Sequence, residues 1–223
     1  MERLDPEETV EAWLERHPRI AARARAACDG ADSAHDWQHV LRVAENARTI
    51  GLAEGARLEV VIAAALLHEL FNHPKDHPDS ARSGDVCAEH ATELLRAEGW
   101  SDELVEPIAY AIRVHGFSRG ISPTTLEARV LQDADRLDAI GAIGIARCFA
   151  TCAVMKRPLY DPDDPFCERR SPDDKLWGLD HFHRKLLRIG DGLHTAAARR
   201  LAADRTAFMH AYLDALRREV ISP

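Results

Sequence analysis

Eight uncharged apolar residues in a row, 60–67, run straight into His68-Glu69. A helix built from that run and its flanks, residues 58–71, is apolar almost all round. Such a helix belongs at the centre of a core, with other elements packed around it. An imidazole and a carboxylate emerging together from its end are costly unless they are hydrogen-bonded, paired or bound to a cation. Comparable groups recur at distant points: His35-Asp36-Trp37-Gln38-His39, then His115, then Asp133-Ala134-Asp135-Arg136-Leu137-Asp138. Each lies in or beside an apolar stretch with helical spacing. A bound metal would satisfy all of them at once, which points to an enzyme rather than an inert bundle.

Helical periodicity dominates the rest of the chain, and no segment alternates over strand length. Asp5-Pro6-Glu7-Glu8 reads as an N-cap, a first-turn proline and acidic residues suited to a helix start. That helix breaks near Pro18 and resumes to about Cys28, before Asp29-Gly30. Asp36 caps the next helix, whose apolar face is Val40, Leu41, Ala44, Ala47 and Ile50, with Gly51 and Gly55 at its exit. After the central helix comes the polar loop Asn72-His73-Pro74-Lys75-Asp76-His77-Pro78, which its two prolines keep from being helical. Further helices are expected over 83–98, 102–115, a long one from Ser122-Pro123 to about Cys152, then 175–190 and 195–220. Residues 116–120 form a loop, and 156–174, with four prolines and many charges, form a long one of the kind usually functional or mobile. The expected architecture is all-α: one domain over 1–223, with N-terminal helices (5–29) and C-terminal helices (175–220) packed on the core.

The 223 residues and 46% apolar content support an extended core. A formal charge of −8 disfavours non-specific attraction to DNA, RNA or an anionic membrane surface, although a local basic pocket can still hold a phosphate. The longest apolar runs, 60–67 and 139–146, are far short of the roughly 18 residues needed to span a bilayer. The acidic N-terminus lacks the apolar region of a signal peptide. Five cysteines, Cys28, Cys87, Cys148, Cys152 and Cys167, are odd in number and form no Cys-x-x-Cys pair. A soluble protein of the reducing cytoplasm is the expectation. Cys148 and Cys152, four apart on one helix, are read as core.

Each polar group has an ordinary explanation beside the chemical one. His39 taken alone is a hydrogen-bonded structural histidine, and His68-Glu69 taken alone is polarity near a helix end. Adjacent helix positions diverge by about 100°, so both side chains can still reach one ion lying between them. Asp133, Asp135 and Asp138 crowd a turn and a half of an otherwise apolar helix; Asp135 and Asp138 share a face, and Arg136 can neutralise one of them. Taken together, two imidazoles and two carboxylates suit Mn²⁺, Fe²⁺, Ni²⁺, Co²⁺ or Zn²⁺ better than a thiolate site would.

In these segments the sequence resembles the HD-domain metal-dependent phosphohydrolase superfamily, whose signature is His…His-Asp…Asp on separate helices of an all-α fold. The likeness extends over His35 to Val43, over Ala65-Leu66-Leu67-His68-Glu69 with Asn72, Pro74-Lys75 and His77-Pro78, and over His115-Gly116-Phe117-Ser118. It continues through Leu126-Glu127-Ala128, Gln132 to Ala142, and His181-Phe182 with Lys185-Leu186-Leu187. It thus spans about 31–219 and is similar to a bacterial branch of small stand-alone HD hydrolases, some of them nucleotide pyrophosphohydrolases. The resemblance implies His39 as first metal ligand, His68 as second and Asp135 as last, with Asp133 the competing choice. The position of the signature Asp is Glu69 here. Glutamate keeps the charge and adds a methylene, so it can ligate with a shifted ion or displace a metal-bound water.

The expected activity is hydrolysis of a phosphoester or phosphoanhydride in a small phosphorylated substrate, a nucleotide by preference. Glu69, Lys75 and His115 are the catalytic candidates besides the metal ligands. Arg42, Lys75, His115 and Lys185 are the candidates for holding substrate, since phosphoryl transfer needs cations to offset phosphate charge. His115 can protonate a leaving group or bind phosphate, because an imidazole titrates near neutrality. Lys75 read blandly is a solvated loop lysine. Two other readings stand beside this one: a di-iron oxygenase using His73 and His115 as additional ligands, and a non-catalytic nucleotide-binding module, prompted by Glu69. A homo-oligomer is compatible with all three.

Overall fold

The computed structural model describes residues 8–30, 36–73, 77–116 and 120–221. Among them the regular elements are helices alone, in keeping with the all-α expectation: α1 (Val10–Arg16), α2 (Pro18–Ala27), α3 (Trp37–Glu54), α4 (Leu58–Leu67), α5 (Ser83–Ala97), α6 (Asp102–Val114), α7 (Leu126–Asp138), α8 (Gly141–Val154), α9 (Asp180–Arg184) and α10 (Ala196–Val220). The chain divides into two compact units, Met1–Asp135 and Arg136–Pro223, so the boundary falls inside α7.

The first unit is built around α4. Leu58 and every residue from Val60 to Leu67 are buried, as an all-round apolar helix requires. It packs against α3, α6 and α2, while α5 packs against α6. The N-terminal helix begins later than Asp5-Pro6 suggests: Thr9 caps α1 by accepting from the Ala12 N–H at 3.1 Å. Asp5, Pro6 and Glu7 lie outside the described residues. Trp13 is fully buried, with its ring 4.4 Å from that of His17 and 6.1 Å from that of Trp100. Two long-range polar ties hold α7 in this unit. Asn46 on α3 donates to the Ala134 carbonyl at 3.2 Å, and Arg57, which opens α4, pairs with Glu127 at 3.0 Å.

The single helix expected from Ser122-Pro123 to Cys152 is two helices, α7 and α8. At the break Ala139 and Ile140 bond back three residues, to the carbonyls of Arg136 and Leu137. The last carbonyls of α7 are taken by guanidinium groups: Arg205 donates to Leu137 O at 2.5 Å and Arg147 to Asp138 O at 3.1 Å. Gly141 then turns with φ +76°, a conformation that suits glycine. A Cβ on Gly144 would stand 2.2 Å from the Ala139 carbonyl oxygen, so only glycine lets α8 start so close to the end of α7. The carboxylate of Asp138 is buried and met by Arg147 at 2.6 Å.

In the second unit Phe149, Phe182 and Tyr212 interlock α8, α9 and α10, with ring centroids 5.8–6.3 Å apart. The helix expected over 175–190 is shorter: α9 has five residues and gives way to a 3-10 turn, Leu186–Gly192. The expected long loop is present and is held from within. Arg170 forms a fork on buried Asp180 at 2.5 and 2.9 Å and reaches Asp161 at 3.1 Å, while the Asp173 N–H also bonds Asp180 at 2.6 Å. No single helix among the described residues is long and apolar enough to cross a membrane.

Asp180 is the loop's central acceptor, and its removal takes away the two-point partner of Arg170, leaving Asp161 and the Asp164 carbonyl. Breaking a buried pair from one side costs on the order of 3–5 kcal/mol. Because the Arg170 side chain keeps 24% exposure, the lower end applies, and Asp180→Ala should lose about 3 kcal/mol in urea unfolding. An unchanged midpoint would show that the fork contributes nothing.

Candidate metal centre

Three local structures bring the site's side chains together within the first unit. On α3, Asp36 stands just before the helix and its carboxylate accepts the His39 N–H at 2.8 Å. The cap fixes where the helix starts and so which way His39 faces; His39 is 1% exposed.

On α4 the helix ends four residues before the expected Phe71. Leu67 is its last residue and His68 its C-cap, so Glu69 lies in a turn rather than on the helix. The terminal carbonyls explain the stop. The His68 ring takes Ala65 O, with Nδ1 at 2.6 Å. The Leu70 N–H bonds Leu67 O at 3.2 Å, and the Cys87 thiol on α5 stands 3.3 Å from Leu67 O and 3.2 Å from His68 O. Burial pushes the Cys87 thiol up to about 12, so it stays protonated and can donate. Cys87, to which the sequence assigns no role, anchors the turn that presents the site. Its position in sequence does not reveal this, because the carbonyls that it meets belong to another helix.

With Nδ1–H donated to Ala65 O, the lone pair of His68 is on Nε2. That nitrogen stands 3.3 Å from His39 Nε2, and His39 Nε2 stands 3.6 Å from an oxygen of Asp135 on α7. One ligand atom each from His39, His68 and Asp135 lies within 4.8 Å of the others, and Asp135, not its neighbour Asp133, is the carboxylate of this group. Glu69 Oε1 is 3.7 Å from His68 Nε2 and 3.9 Å from His39 Nε2. Asn72 lies beside its other oxygen, at 3.5 Å.

The donor set fits a divalent ion. Two nitrogens each about 2.05 Å from a tetrahedral ion stand roughly 3.3 Å apart, the spacing found here. Burial lowers His68 to about 4, against the opposing pull of Glu69, so the imidazole is neutral at physiological pH and free to ligate. His39, His68 and Asp135 can therefore hold a metal.

His115 joins the group from the end of α6. Its Nδ1 stands 2.6 Å from Ile112 O, the arrangement that His68 makes with Ala65, and its ring meets the His68 ring edge-on, with centroids 5.2 Å apart at 86°. Arg42 is half-buried on α3, three residues beyond His39 and so on a neighbouring face. Lys75 and His35 lie outside the described residues. Lys185 is half-buried after α9, in the second unit. His73 and His77 stack on each other, with ring centroids 4.4 Å apart at 6°, following the turn that carries Glu69 in sequence.

The HD-domain family model matches residues 36–140, which include His39, His68, His115 and Asp135. The uncharacterized protein YpgQ of Bacillus subtilis (strain 168) is 35% identical over 192 residues, 84% of this chain and 85% of its own. The crystal structure of YpgQ in complex with ADP superposes with a TM-score of 0.70 at 33% identity, covering 95% of this chain and 97% of that one. An HD-superfamily hydrolase from Bacillus thuringiensis superposes with a TM-score of 0.73 at 28% identity, covering 96% and 100%. By this extent of likeness, through the same helices that carry the histidines, the chain belongs to the HD-domain family.

Proposed function

We propose that this protein is a metal-dependent phosphohydrolase that cleaves a phosphoester or phosphoanhydride bond in a small nucleotide. The observation that carries the proposal is the convergence of His39, His68 and Asp135 on one point in a family whose solved members include an HD-superfamily hydrolase. The ADP complex of YpgQ supports a nucleotide as substrate.

His39, His68 and Asp135 would hold a divalent cation, which would lower the pKa of a water and polarise a phosphoryl oxygen. The chain's own residues do the rest. The Ala65 carbonyl keeps the His68 lone pair on Nε2, and Asp36 sets the register of His39. Glu69 keeps a carboxylate within 4 Å of both imidazoles, where it would ligate the ion or accept a proton from the attacking water. His115, beside His68, is the group to protonate the leaving oxygen or to bind phosphate. For a chain of formal charge −8, local cations must meet the phosphates, and Arg42 and Lys75 are the candidates in the unit that carries the metal residues. The non-catalytic reading differs in one outcome, nucleotide binding without turnover.

The activity is tested by incubating the purified protein with Mn²⁺ and a panel of nucleoside di- and triphosphates, resolving phosphate from pyrophosphate. Turnover of at least one nucleotide is expected; binding of all with turnover of none would overturn the proposal.

His68→Ala should weaken metal affinity by more than about 100-fold, beyond the loss usual for outer-shell changes, while helicity measured by circular dichroism stays near the parent's. Full metal content in that variant would remove His68 from the ligand set.

Glu69 should give a graded series in metal-dependent turnover. Glu69→Asp is expected to equal or exceed the parent, because it restores the signature carboxylate. Glu69→Gln and Glu69→Ala should fall by roughly 10-fold or more, as expected for loss of an acid–base group. Parent-like rates in Glu69→Ala at saturating metal would deny the carboxylate a role.

A further inference from the structure

The loop between α6 and α7 carries His115 and returns the chain to the helix of Asp135. Gln132 lies on α7 one turn before Asp135 and is 1% exposed. Its Nε2 amide donates to Val114 O at 2.8 Å and to Ile121 O at 3.0 Å. A side-chain amide nitrogen carries two hydrogens, so this one group ties together the two stems of the loop. Val114 O belongs to the peptide that joins Val114 to His115. That peptide is planar, so holding its oxygen also sets the plane of the His115 nitrogen. The His115 ring is fixed at its other end by Ile112 O and stands edge-on to His68.

We infer that Gln132 is a positioning residue that sets where the His115 imidazole stands against His68. It acts through the Val114–His115 peptide. Its effect on turnover rests on the phosphohydrolase proposal; its effect on the ring does not. The same loop has other anchors that provide a comparison. Tyr110 bonds Thr124, through the hydroxyls at 2.7 Å and through the Thr124 N–H at 3.0 Å, and Arg129 donates to Pro123 O at 3.3 Å. These hold the stem remote from His115.

The test uses the full chain loaded with a diamagnetic ion, Zn²⁺, and the ¹H–¹³C resonances of the histidine rings, with His115 assigned by its disappearance in His115→Ala. Gln132→Met matches the side chain's length but has no N–H. It should shift the His115 ring signal with zinc content unchanged. Gln132→Asn keeps the amide on a shorter stem that reaches at most one of the two carbonyls, and should shift the signal less. Tyr110→Phe should leave it at the parent position. With Mn²⁺ and a nucleotide that the parent hydrolyses, Gln132→Met should lower kcat roughly 10- to 100-fold, the scale of a small misplacement of a catalytic group. In a His115→Ala background it should add less than about 2-fold, since both changes remove the same contribution. An unmoved His115 signal in Gln132→Met, or losses that multiply in the double variant, overturns the inference. If Gln132→Met does not fold, Gln132→Asn supplies the same readouts. If the parent hydrolyses no nucleotide, the proposed function fails and the ring signal alone decides the role of Gln132.

Discussion

The hydrogen bond from His68 to the Ala65 carbonyl is a short local contact with long consequences. It assigns the proton of a buried imidazole to Nδ1 and so aims a bare lone pair from Nε2 at His39. It also takes one of the carbonyls that a continuing α4 would have used, and with the Cys87 thiol beside Leu67 O and His68 O the helix ends at Leu67. The turn that results places Glu69 on the same side as both imidazoles. Tautomer, helix end and carboxylate placement are thus one arrangement.

Holding two imidazole nitrogens 3.3 Å apart where water is excluded is unfavourable unless something lies between them or a proton is shared. The surrounding fold sustains this. The central helix is buried on all sides, α3 is started by Asp36, and α7 is tied to α3 through Asn46 and to the start of α4 through Arg57 and Glu127. Each tie fixes one of the helices that supply His39, His68 or Asp135, so the fold itself holds these three side chains together.

Much of this was legible in the sequence because it is encoded locally. The apolar period of α3 and α4, the Asp36 cap and the stop at Cys28 act over a few residues, and the helices α5 and α6 match their expected spans to within one residue at each end. The departures share a different cause. Helix α4 stops short because a thiol nineteen residues beyond His68 competes for its carbonyls, and the α7–α8 helix breaks because Arg147 and Arg205 take the terminal carbonyls where Gly144 allows close approach. The guanidinium on Asp138 is that of Arg147, nine residues away, a pairing that local sequence does not reveal. The same holds at the site. His39, His68 and Asp135 stand out by residue type, whereas Gln132 and Cys87 look like ordinary interior residues until their long-range carbonyl partners are known.

The site proposed for a divalent ion lies between His39, His68 and Asp135. Anomalous diffraction from crystals grown with Mn²⁺ tests it without reference to any substrate. A peak is expected bonded to Nε2 of both histidines at about 2.0–2.3 Å and to a carboxylate oxygen of Asp135. A metal found elsewhere in the protein, with the two imidazole nitrogens still in direct contact, would contradict it.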